Sequence, residues 1–541
     1  MPPVQLRVAL LALAVGLVLA DSSVVTLGLP AVLGDFDASP AGVSWVLTAY
    51  NLALALAAVP AALLVRGADG AARIARLGLV VFAVASAVCA LAPSLGALIA
   101  ARCVQGLGGA AVACASLALL SAATGSRARG ATIWGAAGAL GAAVGPPLGG
   151  VLTDLLSWEA IFFVQVPIAL VCLLAARAGV EAPPAATAPA AAPVPPSASA
   201  VPAERDGRLW TESAVEPELE SPWGGGPPAS PPETEDRFTR DRTGGRWSRG
   251  GASDDDDRGR AGGVGDDPPA PVDAESGAHR AARTRPDVRV LLALALLGAG
   301  LTAALFLLVL LLIAGWRHDP LTAAAAVSVM PVAALLAGRV GRGDALSRGA
   351  VGAVLVAGGL AALGLLPDAD IAWIIAPQVL IGIGLGLSLG PLTEAALRGR
   401  TDQALHGGWT IAARHAGVVA ALALLTPIFT ADLERQEDRA AEAVLARILE
   451  SPLSPTTKLS LGLELAGTLD AAEGEVPDPG PAFDAARPGP GEARAYASLR
   501  EDVDDELDRA ATSAFERSFL VAAALALLAL IPLLMPAGVR A

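Results

Sequence analysis

Charged residues are scarce in this 541-residue chain, at 17% of the sequence, and aromatic residues make up only 4%. Soluble domains carry about 25% charged residues, and a soluble core needs more large side chains to pack at native density. Hydrophobic residues reach 54% and the mean hydropathy is +0.57. They cluster in blocks of roughly 18–27 residues, the length of membrane-spanning helices. The composition therefore excludes an ordinary soluble protein and predicts an all-α polytopic membrane protein.

The sequence also lacks the signatures of metal, nucleotide and catalytic sites. The four cysteines lie in apolar blocks without metal-ligand spacing, and the four histidines are scattered. There is no P-loop to bind ATP, and no basic stretch carries the interleaved aromatic residues typical of nucleic-acid binding. We therefore expect no enzyme activity, no cofactor, no metal and no nucleic-acid partner.

What the chain does contain is a series of apolar blocks that predict twelve membrane spans, six on each side of a long polar gap. The predicted spans are 7–32, 42–65, 74–93, 96–123, 131–153, 160–177, 289–314, 321–338, 349–366, 371–397, 409–430 and 517–537. Because the number of spans is even, both ends of the chain are expected on the same side of the membrane.

Basic residues indicate which side that is. Short loops on one side hold ten arginines, whereas those on the other side hold Arg317 alone. Since arginine marks cytoplasmic loops, we expect both termini and the gap, 179–287, in the cytoplasm and the polar segment 431–516 outside. Only one of the 38 basic residues, Lys458, is lysine, which is typical of a high-GC genome. The expected location is the cell membrane of a high-GC bacterium. The ten arginines are Arg66, Arg73, Arg76, Arg127, Arg129, Arg339, Arg342, Arg348, Arg398 and Arg400.

The two polar segments divide the chain into domains. Segment 179–287 is rich in Pro, Gly, Ser and Asp and predicts a disordered linker, or else a docking platform for a cytoplasmic partner. It separates an N-terminal bundle, 1–178, from a C-terminal bundle, 288–541. Segment 431–516 has helical apolar spacing at both ends and predicts a small helical insertion outside the membrane. The insertion either caps a substrate exit or passively extends the flanking spans.

The fourth and tenth predicted spans repeat each other at a fixed offset of 276 residues. Ile99-Ala100 and Gly106-Leu107-Gly108 correspond to Ile375-Ala376 and Gly382-Ile383-Gly384. Two parallel six-helix halves around a substrate site are a known plan of transporters. The repeat therefore predicts a 6+6 arrangement of two bundles.

Five motifs occur in the first half of the chain. They are Ala20-Asp21-Ser-Ser-Val-Val-Thr-Leu-Gly-Leu-Pro30, Trp45-Val-Leu-Thr-Ala-Tyr50, Arg102-Cys-Val-Gln105-Gly106-Leu-Gly108-Gly109-Ala110, Gly141 with Gly145-Pro146-Pro147-Leu-Gly149-Gly150, and Ser157-Trp158-Glu-Ala-Ile-Phe162-Phe-Val-Gln165-Val-Pro167. Together they resemble the major facilitator superfamily, and within it the larger drug:proton antiporter group. That group usually has fourteen spans, whereas twelve are predicted here.

The resemblance implies proton coupling at Asp21, and the sequence gives a physical reason. Asp21 lies about 14 residues beyond Arg7, or roughly 21 Å along a helix, which places a carboxyl group within the hydrocarbon. A charge there costs about 2.5–3.5 kcal/mol. Arg102 in span four could pair with Asp21 and lower the cost of both charges. The alternatives are a hydrogen bond from Asp21 to a neighbouring span and an Arg102 side chain that reaches the outer interface.

Other polar residues within spans are weaker candidates. Asn51, Gln105, Gln165 and Gln378 could line a substrate cavity, and so few polar groups suit a hydrophobic or amphipathic substrate. The resemblance assigns Gly141, Gly145, Pro146, Pro147, Gly149 and Gly150 to the antiporter motif, where simple helix packing is the alternative. Glu394 and Arg414 are expected within about a turn of the cytoplasmic face, at the interface or in a coupling role.

These features lead to one main hypothesis and two alternatives. The main hypothesis is a monomeric, proton-coupled exporter of hydrophobic or amphipathic compounds, a multidrug-type efflux protein whose partners are its substrate, protons and the bilayer. An exporter of lipid or cell-envelope precursors would use 431–516 to hand its cargo on. A non-transporting membrane scaffold would use the two polar segments to bind partners.

Overall fold

The computed structural model describes residues 4–176, 285–341, 343–400, 402–471 and 479–535, and these are helical with short connections and no strand. The predicted all-α fold is confirmed. The expected linker, 179–287, lies outside the described residues except for its last three positions.

The described residues of the first half, 4–176, form six helices. Five are long and apolar enough to cross a membrane, and the sixth is an apolar helix of 15 residues. The sixth predicted span, 160–177, is therefore shorter as a helix than the sequence predicts. The helices are α1 (Val4–Asp35), α2 (Pro40–Leu64), α3 (Gly67–Ala90), α4 (Leu95–Ala123), α5 (Arg127–Leu155) and α6 (Trp158–Cys172).

The second half supplies six further segments of membrane-spanning length. Two predicted spans are each built from a pair of helices, and α7 ends in a π-helical turn, Leu311–Gly315. The helices are α7 (Val288–Leu310), α8 (Pro320–Val327), α9 (Val329–Val340), α10 (Ala345–Leu363), α11 (Ile371–Leu397), α12 (Gln403–Glu450), α13 (Pro455–Ala471), α14 (Gly480–Ala485), α15 (Ala493–Leu528) and α16 (Leu530–Leu534).

Short polar caps determine where many helices begin. A serine or aspartate side chain accepts a hydrogen bond from the first turn of α2, α4, α5, α7, α8, α10, α11 and α12. Such a cap satisfies one of the backbone N–H groups that a helix start leaves without a partner. The caps therefore stop and restart the helices within connections of only a few residues.

The repeated glycines have equivalent roles in the two halves. A Cβ atom on Gly106 of α4 would collide with a carbonyl oxygen of α2, and one on Gly382 of α11 would collide with a carbonyl oxygen of α9. In the same way, Gly108 lies against the backbone of α3 and Gly384 against that of α10. Small residues at these positions let neighbouring helices approach closely. The sequence repeat thus corresponds to a repeat in helix packing.

The two halves contact each other near both ends of the bundle. The arginine-rich end is the end with the loops after α2, α4, α9 and α11. There Gln403 Nε2 donates to Arg127 O at 2.9 Å, and α2 packs along α12. At the opposite end, which we call the insertion end, Gly150 of α5 lies against Pro320 and Ala324 of α8. The two halves are therefore in contact at both ends of the bundle.

The predicted insertion, 431–516, extends two helices of the second half. It consists of the last part of α12, helices α13 and α14, and the first part of α15. It has a small apolar core of its own, to which Val444, Leu461, Phe483 and Val503 contribute. Because α12 and α15 continue into it without a break, the insertion is built as an extension of these helices and also packs as a separate unit.

The connection between α7 and α8 anchors α15 at the insertion end. Arg317 Nη2 lies 2.8 Å from both Asp504 Oδ1 and Asp508 Oδ1, and Trp316 Nε1 donates to Thr512 Oγ1 at 3.0 Å. The backbone of Arg317 adopts a φ of 57°, a left-handed conformation that is uncommon for a residue with a side chain. Two ion pairs on one guanidinium stabilise this turn.

Candidate functional site

A buried ion pair joins α1 and α4 in the first half. Arg102 Nη1 lies 2.5 Å from Asp21 Oδ2, and both side chains are 0% exposed. The arginine of α4 can reach Asp21 because α1 and α4 pack directly against each other. Burial favours the neutral form of Asp21, whereas the guanidinium favours the ionised form. Two opposed effects of this kind make reversible protonation of Asp21 chemically feasible.

Two glutamines complete the hydrogen bonds of Asp21. Gln165 Nε2 of α6 and Gln105 Nε2 of α4 lie 3.0 and 3.2 Å from Asp21 Oδ1. Gln105 Oε1 accepts from Arg102 Nη1 at 2.7 Å, and Gln105 Nε2 also lies 2.9 Å from Ser86 Oγ of α3. The network thus connects α1, α3, α4 and α6. A change in the charge of Asp21 would alter its hydrogen bonds to α4 and α6, and Gln105 connects these to α3.

Aromatic rings and a backbone carbonyl hold Arg102 in place. Its Cζ atom lies 4.2 Å from the centre of the Tyr50 ring and 5.6 Å from that of Phe162. Arg102 Nε donates to Val46 O at 3.0 Å. Among the residues that the structure describes, Arg102 Nη2 is a buried donor without an acceptor. Removing one partner of such a pair lowers the free energy of unfolding by about 3–5 kcal/mol, because the other charge stays buried and uncompensated.

An apolar crevice between α1, α5 and α6 leads to this network. Its volume is about 550 Å³, and Asp21 and Gln165 line it together with apolar residues such as Leu17, Leu140 and Ile168. Because Asp21 and Gln165 are almost fully buried, they lie at its inner end. The crevice brings an apolar surface next to the one buried carboxyl group in the described part of spans α1 to α6.

A hydrogen bond between Asn51 and His415 connects the first half to the second. Asn51 Oδ1 of α2 lies 2.7 Å from His415 Nδ1 of α12, and both side chains are buried. Ser22 Oγ, on the residue next to Asp21, donates to the same Asn51 oxygen at 3.2 Å. Asn51 therefore lies, fully buried, between the helix of Asp21 and the other half.

The antiporter-motif residues of α5 allow close packing on both sides of the helix. Cβ atoms on Gly141, Gly145 and Gly149 would collide with α1, and one on Gly150 would collide with Ala324 of α8. Pro146 and Pro147 lie within a helix that continues from Arg127 to Leu155. The motif thus places α5 against the helix of Asp21 on one side and against the second half on the other.

The remaining candidates lie apart from the Asp21 network. Gln378 is 0% exposed, and no described residue bonds to either of its amide atoms. Glu394 lies near the end of α11 and pairs with Arg398 at 2.7 Å, with both side chains exposed. Arg414 lies in the fourth turn of α12, which begins at Gln403. Its neighbour His415 bonds to α2.

Arg414 lines a second cavity, which lies between the two halves. This cavity has a volume of about 200 Å³, and its walls come from α5, α7, α9, α11 and α12. Thr393 and Arg414 supply its only polar side chains. The cavity is therefore an apolar space with one cationic group.

Sequence reasoning did not single out Ser86, Phe162 or His415 as site residues. Ser86 links Gln105 to the backbone of α3, Phe162 packs beside Arg102, and His415 bonds across the halves. Phe162 does stand within one of the quoted motifs. Ser86 has no signal in the sequence, because a serine in an apolar helix commonly bonds to the preceding turn.

The fold is that of a multi-pass helical membrane protein built from two repeated halves. A solved bacterial homologue of the human lysosomal transporter Spinster, in an inward-facing and unoccupied conformation, is similar over 99% of this chain and 98% of its own, with a TM-score of 0.52 and 15% identity. The family model of the Major Facilitator Superfamily matches residues 11–423. The chain belongs to this superfamily.

Curated relatives are similar over shorter stretches. The multidrug resistance protein Stp of Mycobacterium tuberculosis is 38% identical over 168 residues, 30% of this chain and 31% of its own. The drug efflux pump JefA of the same species is 35% identical over 183 residues, or 33% and 36% of the two chains. The cephamycin export protein CmcT of Amycolatopsis lactamdurans is 41% identical over 170 residues, or 30% and 34%. The chain thus spans about a third of the length of each.

Proposed function

We propose that this protein is a secondary active exporter that couples the outward movement of hydrophobic or amphipathic compounds to protons. Its family and the efflux and export names of its relatives support a transport role and not an enzymatic one. The observation that carries the coupling proposal is the Asp21–Arg102 pair, whose two charges are fully buried. A proton-coupled carrier needs one group that can be charged in one state and neutral in another.

The network suggests how protonation would act on the fold. A proton on Asp21 would remove the charge that holds Arg102 Nη1, while Arg102 would keep its bonds to Gln105 Oε1 and Val46 O. Ser22 and Asn51 connect the same region to His415 of α12. Proton binding in the first half would thereby shift the contacts that the first half makes with the second, as alternating access requires.

The orientation belongs to the same proposal. Loops at the arginine-rich end carry the positive charge that marks a cytoplasmic face. We infer that both termini and residues 179–287 lie in the cytoplasm and that 431–516 lies outside the cell membrane, with the monomer as the transporting unit. Export would then run from the arginine-rich end to the insertion end.

Replacing Asp21 by Asn tests the coupling, because Asn keeps the size and hydrogen bonding of the side chain but cannot ionise. We expect uptake of a hydrophobic dye into proteoliposomes, driven by an imposed pH gradient, to collapse in Asp21→Asn. Asp21→Glu should keep part of the activity with a shifted pH optimum. Asp370→Asn is a matched control, since it makes the same exchange at an exposed helix cap.

Two results would contradict the proposal. If Asp21→Asn transports as well as the unchanged protein under a pH gradient, Asp21 does not couple transport to protons. If neither protein moves any dye of a hydrophobic panel and partner binding is unaffected, the scaffold hypothesis is favoured. Export of a lipid probe without export of dyes would favour the lipid-precursor alternative.

A further inference from the structure

The cavity between the halves contains one charged group, Arg414, in otherwise apolar surroundings. Pro146 of α5 forms part of the wall from the first half, and Leu305, Met330 and Leu389 form part of it from the second half. Arg414 is half-buried, so part of its side chain faces open space and not protein. The only other polar side chain on the wall is the hydroxyl of Thr393.

Arg414 differs from Arg102 because it has no partner among the described residues. No carboxylate or hydrogen-bond acceptor of the described chain lies within bonding distance of its guanidinium. The two acidic candidates from the sequence have other partners, because Asp21 binds Arg102 and Glu394 binds Arg398 at 2.7 Å. A guanidinium away from bulk water and without an anion is unfavourable, and such charges normally pair or bind a ligand.

Close packing positions the Arg414 side chain at the cavity. A Cβ atom on Gly298 of α7 would lie 3.0 Å from Arg414 O and 3.3 Å from Arg414 Cγ. The helices α7 and α12 therefore touch where the side chain leaves the backbone. The absence of a side chain at Gly298 leaves room for the stem of Arg414 beside α7, and the Arg414 side chain lines the cavity.

We propose that Arg414 binds the anionic group of the substrate and that the exporter recognises compact organic anions, in which a carboxylate is joined to an apolar body. The inference rests on the transport role proposed above and adds the substrate class. Guanidinium groups bind carboxylates through two parallel hydrogen bonds, which gives both affinity and orientation. The apolar walls would hold the rest of the molecule.

Size and position agree with such a ligand. A cavity of about 200 Å³ is below the usual range for drug-sized ligands, roughly 300–1,000 Å³. The bound molecule must therefore be small in this arrangement of the helices. Its apolar body would touch α5 of one half and α7, α9 and α11 of the other, so binding would involve both halves together.

Equilibrium binding to the purified full chain in nanodiscs tests the proposal with two probes of matched shape. Radiolabelled octanoate carries a carboxylate, and octanamide is its uncharged counterpart. Charge-assisted hydrogen bonds predict that the unchanged protein prefers octanoate by about tenfold or more. We expect Arg414→Gln to remove this preference without changing octanamide binding, and Arg414→Lys to keep part of it. Arg398→Gln, an exposed arginine outside the cavity, should keep all of it.

A second variant covers the case in which Arg414→Gln does not fold. Thr393→Glu adds a carboxylate to the cavity wall, where it would compete for Arg414, and should weaken octanoate binding while octanamide binding stays near its original value. Equal affinity of the unchanged protein for the two probes would overturn the proposal. So would an equal loss of both probes in folded Arg414→Gln, or unchanged octanoate binding in Thr393→Glu.

The outcome separates this inference from the export proposal. Suppose that the unchanged protein prefers octanoate to octanamide through Arg414 and yet shows no proton-driven dye transport. In that case the anion site is supported and the export proposal fails. If proton-driven transport is present and is lost in Asp21→Asn, while octanoate and octanamide bind alike, export stands and the anion site fails.

Discussion

Helices α4 and α11 occupy equivalent places in the two halves, but they carry different chemistry. Each packs on its neighbours through a glycine pair, Gly106 and Gly108 in α4 and Gly382 and Gly384 in α11. At the repeat offset of 276 residues, Arg102 of α4 corresponds to Gln378 of α11. Arg102 is paired with Asp21, whereas the amide of Gln378 is buried without a partner in the described structure.

The two halves share the close packing of these helices but not the buried charge. Close helix approach depends only on small residues, so both halves can keep it with the same glycines. A buried cation is stabilised where another helix supplies its partner, as α1 does for Arg102. In the second half, the corresponding cation of the interior, Arg414, stands on a different helix and faces a cavity.

Making both repeat positions apolar should have the largest effect, and the effect should differ between the two halves. Arg102→Leu leaves Asp21 buried without its counter-ion, and we expect a loss of about 3–5 kcal/mol in the free energy of unfolding. Gln378→Leu removes an amide with no described partner, so we expect a change near zero or a small gain. Thermal unfolding in detergent measures both. Similar losses in the two variants would show that the positions are energetically equivalent after all.

The repeated glycines should respond alike to substitution, because they have the same packing role in the two halves. In Gly106→Ala and Gly382→Ala the new methyl group meets a backbone carbonyl of α2 or α9. Overpacking of this kind costs about 1–3 kcal/mol. Gly96→Ala in α4 is the control, because its Cβ meets open space, and there alanine should stabilise the helix by about 0.5–1 kcal/mol. Thermal unfolding should give losses of similar size in the two halves, and a loss in only one half would contradict the repeat.

The second half also has charges outside its membrane helices, and a smaller effect is expected there. Arg317→Gln removes two ion pairs that are partly exposed, so we expect the insertion to open more easily by about 1 kcal/mol. Hydrogen exchange of α15 measures this opening. Arg494→Gln, an exposed change in the same helix, should have no effect. Unchanged exchange in Arg317→Gln would show that the apolar core of the insertion alone holds it.

The smallest effect should come from Asp508. Burial raises its pKa above the ordinary value, although Arg317 opposes this shift and Asp504 adds to it. A raised pKa in the folded state gives stability that is present below the ordinary pKa and lost as the pH rises through the raised one. Asp508→Asn should therefore remove this pH dependence and change stability at neutral pH by about 0.5 kcal/mol or less. Hydrogen exchange between pH 4 and 7, corrected for intrinsic rates, measures this pH dependence. If Asp508→Asn keeps the pH dependence of the unchanged protein, the prediction is wrong.

Much of the fold could be predicted from the sequence because the bilayer imposes its own length and polarity on every span. Apolar runs gave the helices, and the glycine pairs at a fixed offset indicated the repeated halves. Asp21 and Arg102 also stood out, since charges within apolar helices are costly and therefore informative. Local hydrophobicity and charge are properties of short segments, so they can be read without knowing which helices meet.

Other contacts between helices are visible only in the tertiary structure. Gln165 lies 144 positions from Asp21 and His415 lies 364 from Asn51, yet each pair is in hydrogen-bond contact. Gln378 matches Arg102 in sequence position but has no described partner, and Arg414 lies on the wall of a cavity between the halves. The sequence of a helix shows on which face a side chain lies. Which other helix packs against that face depends on how the twelve spans pack together. For that reason the charged residues and the Asp21–Arg102 pair could be predicted from the sequence, whereas the hydrogen bonds of Gln165 and of Asn51 to other helices could not.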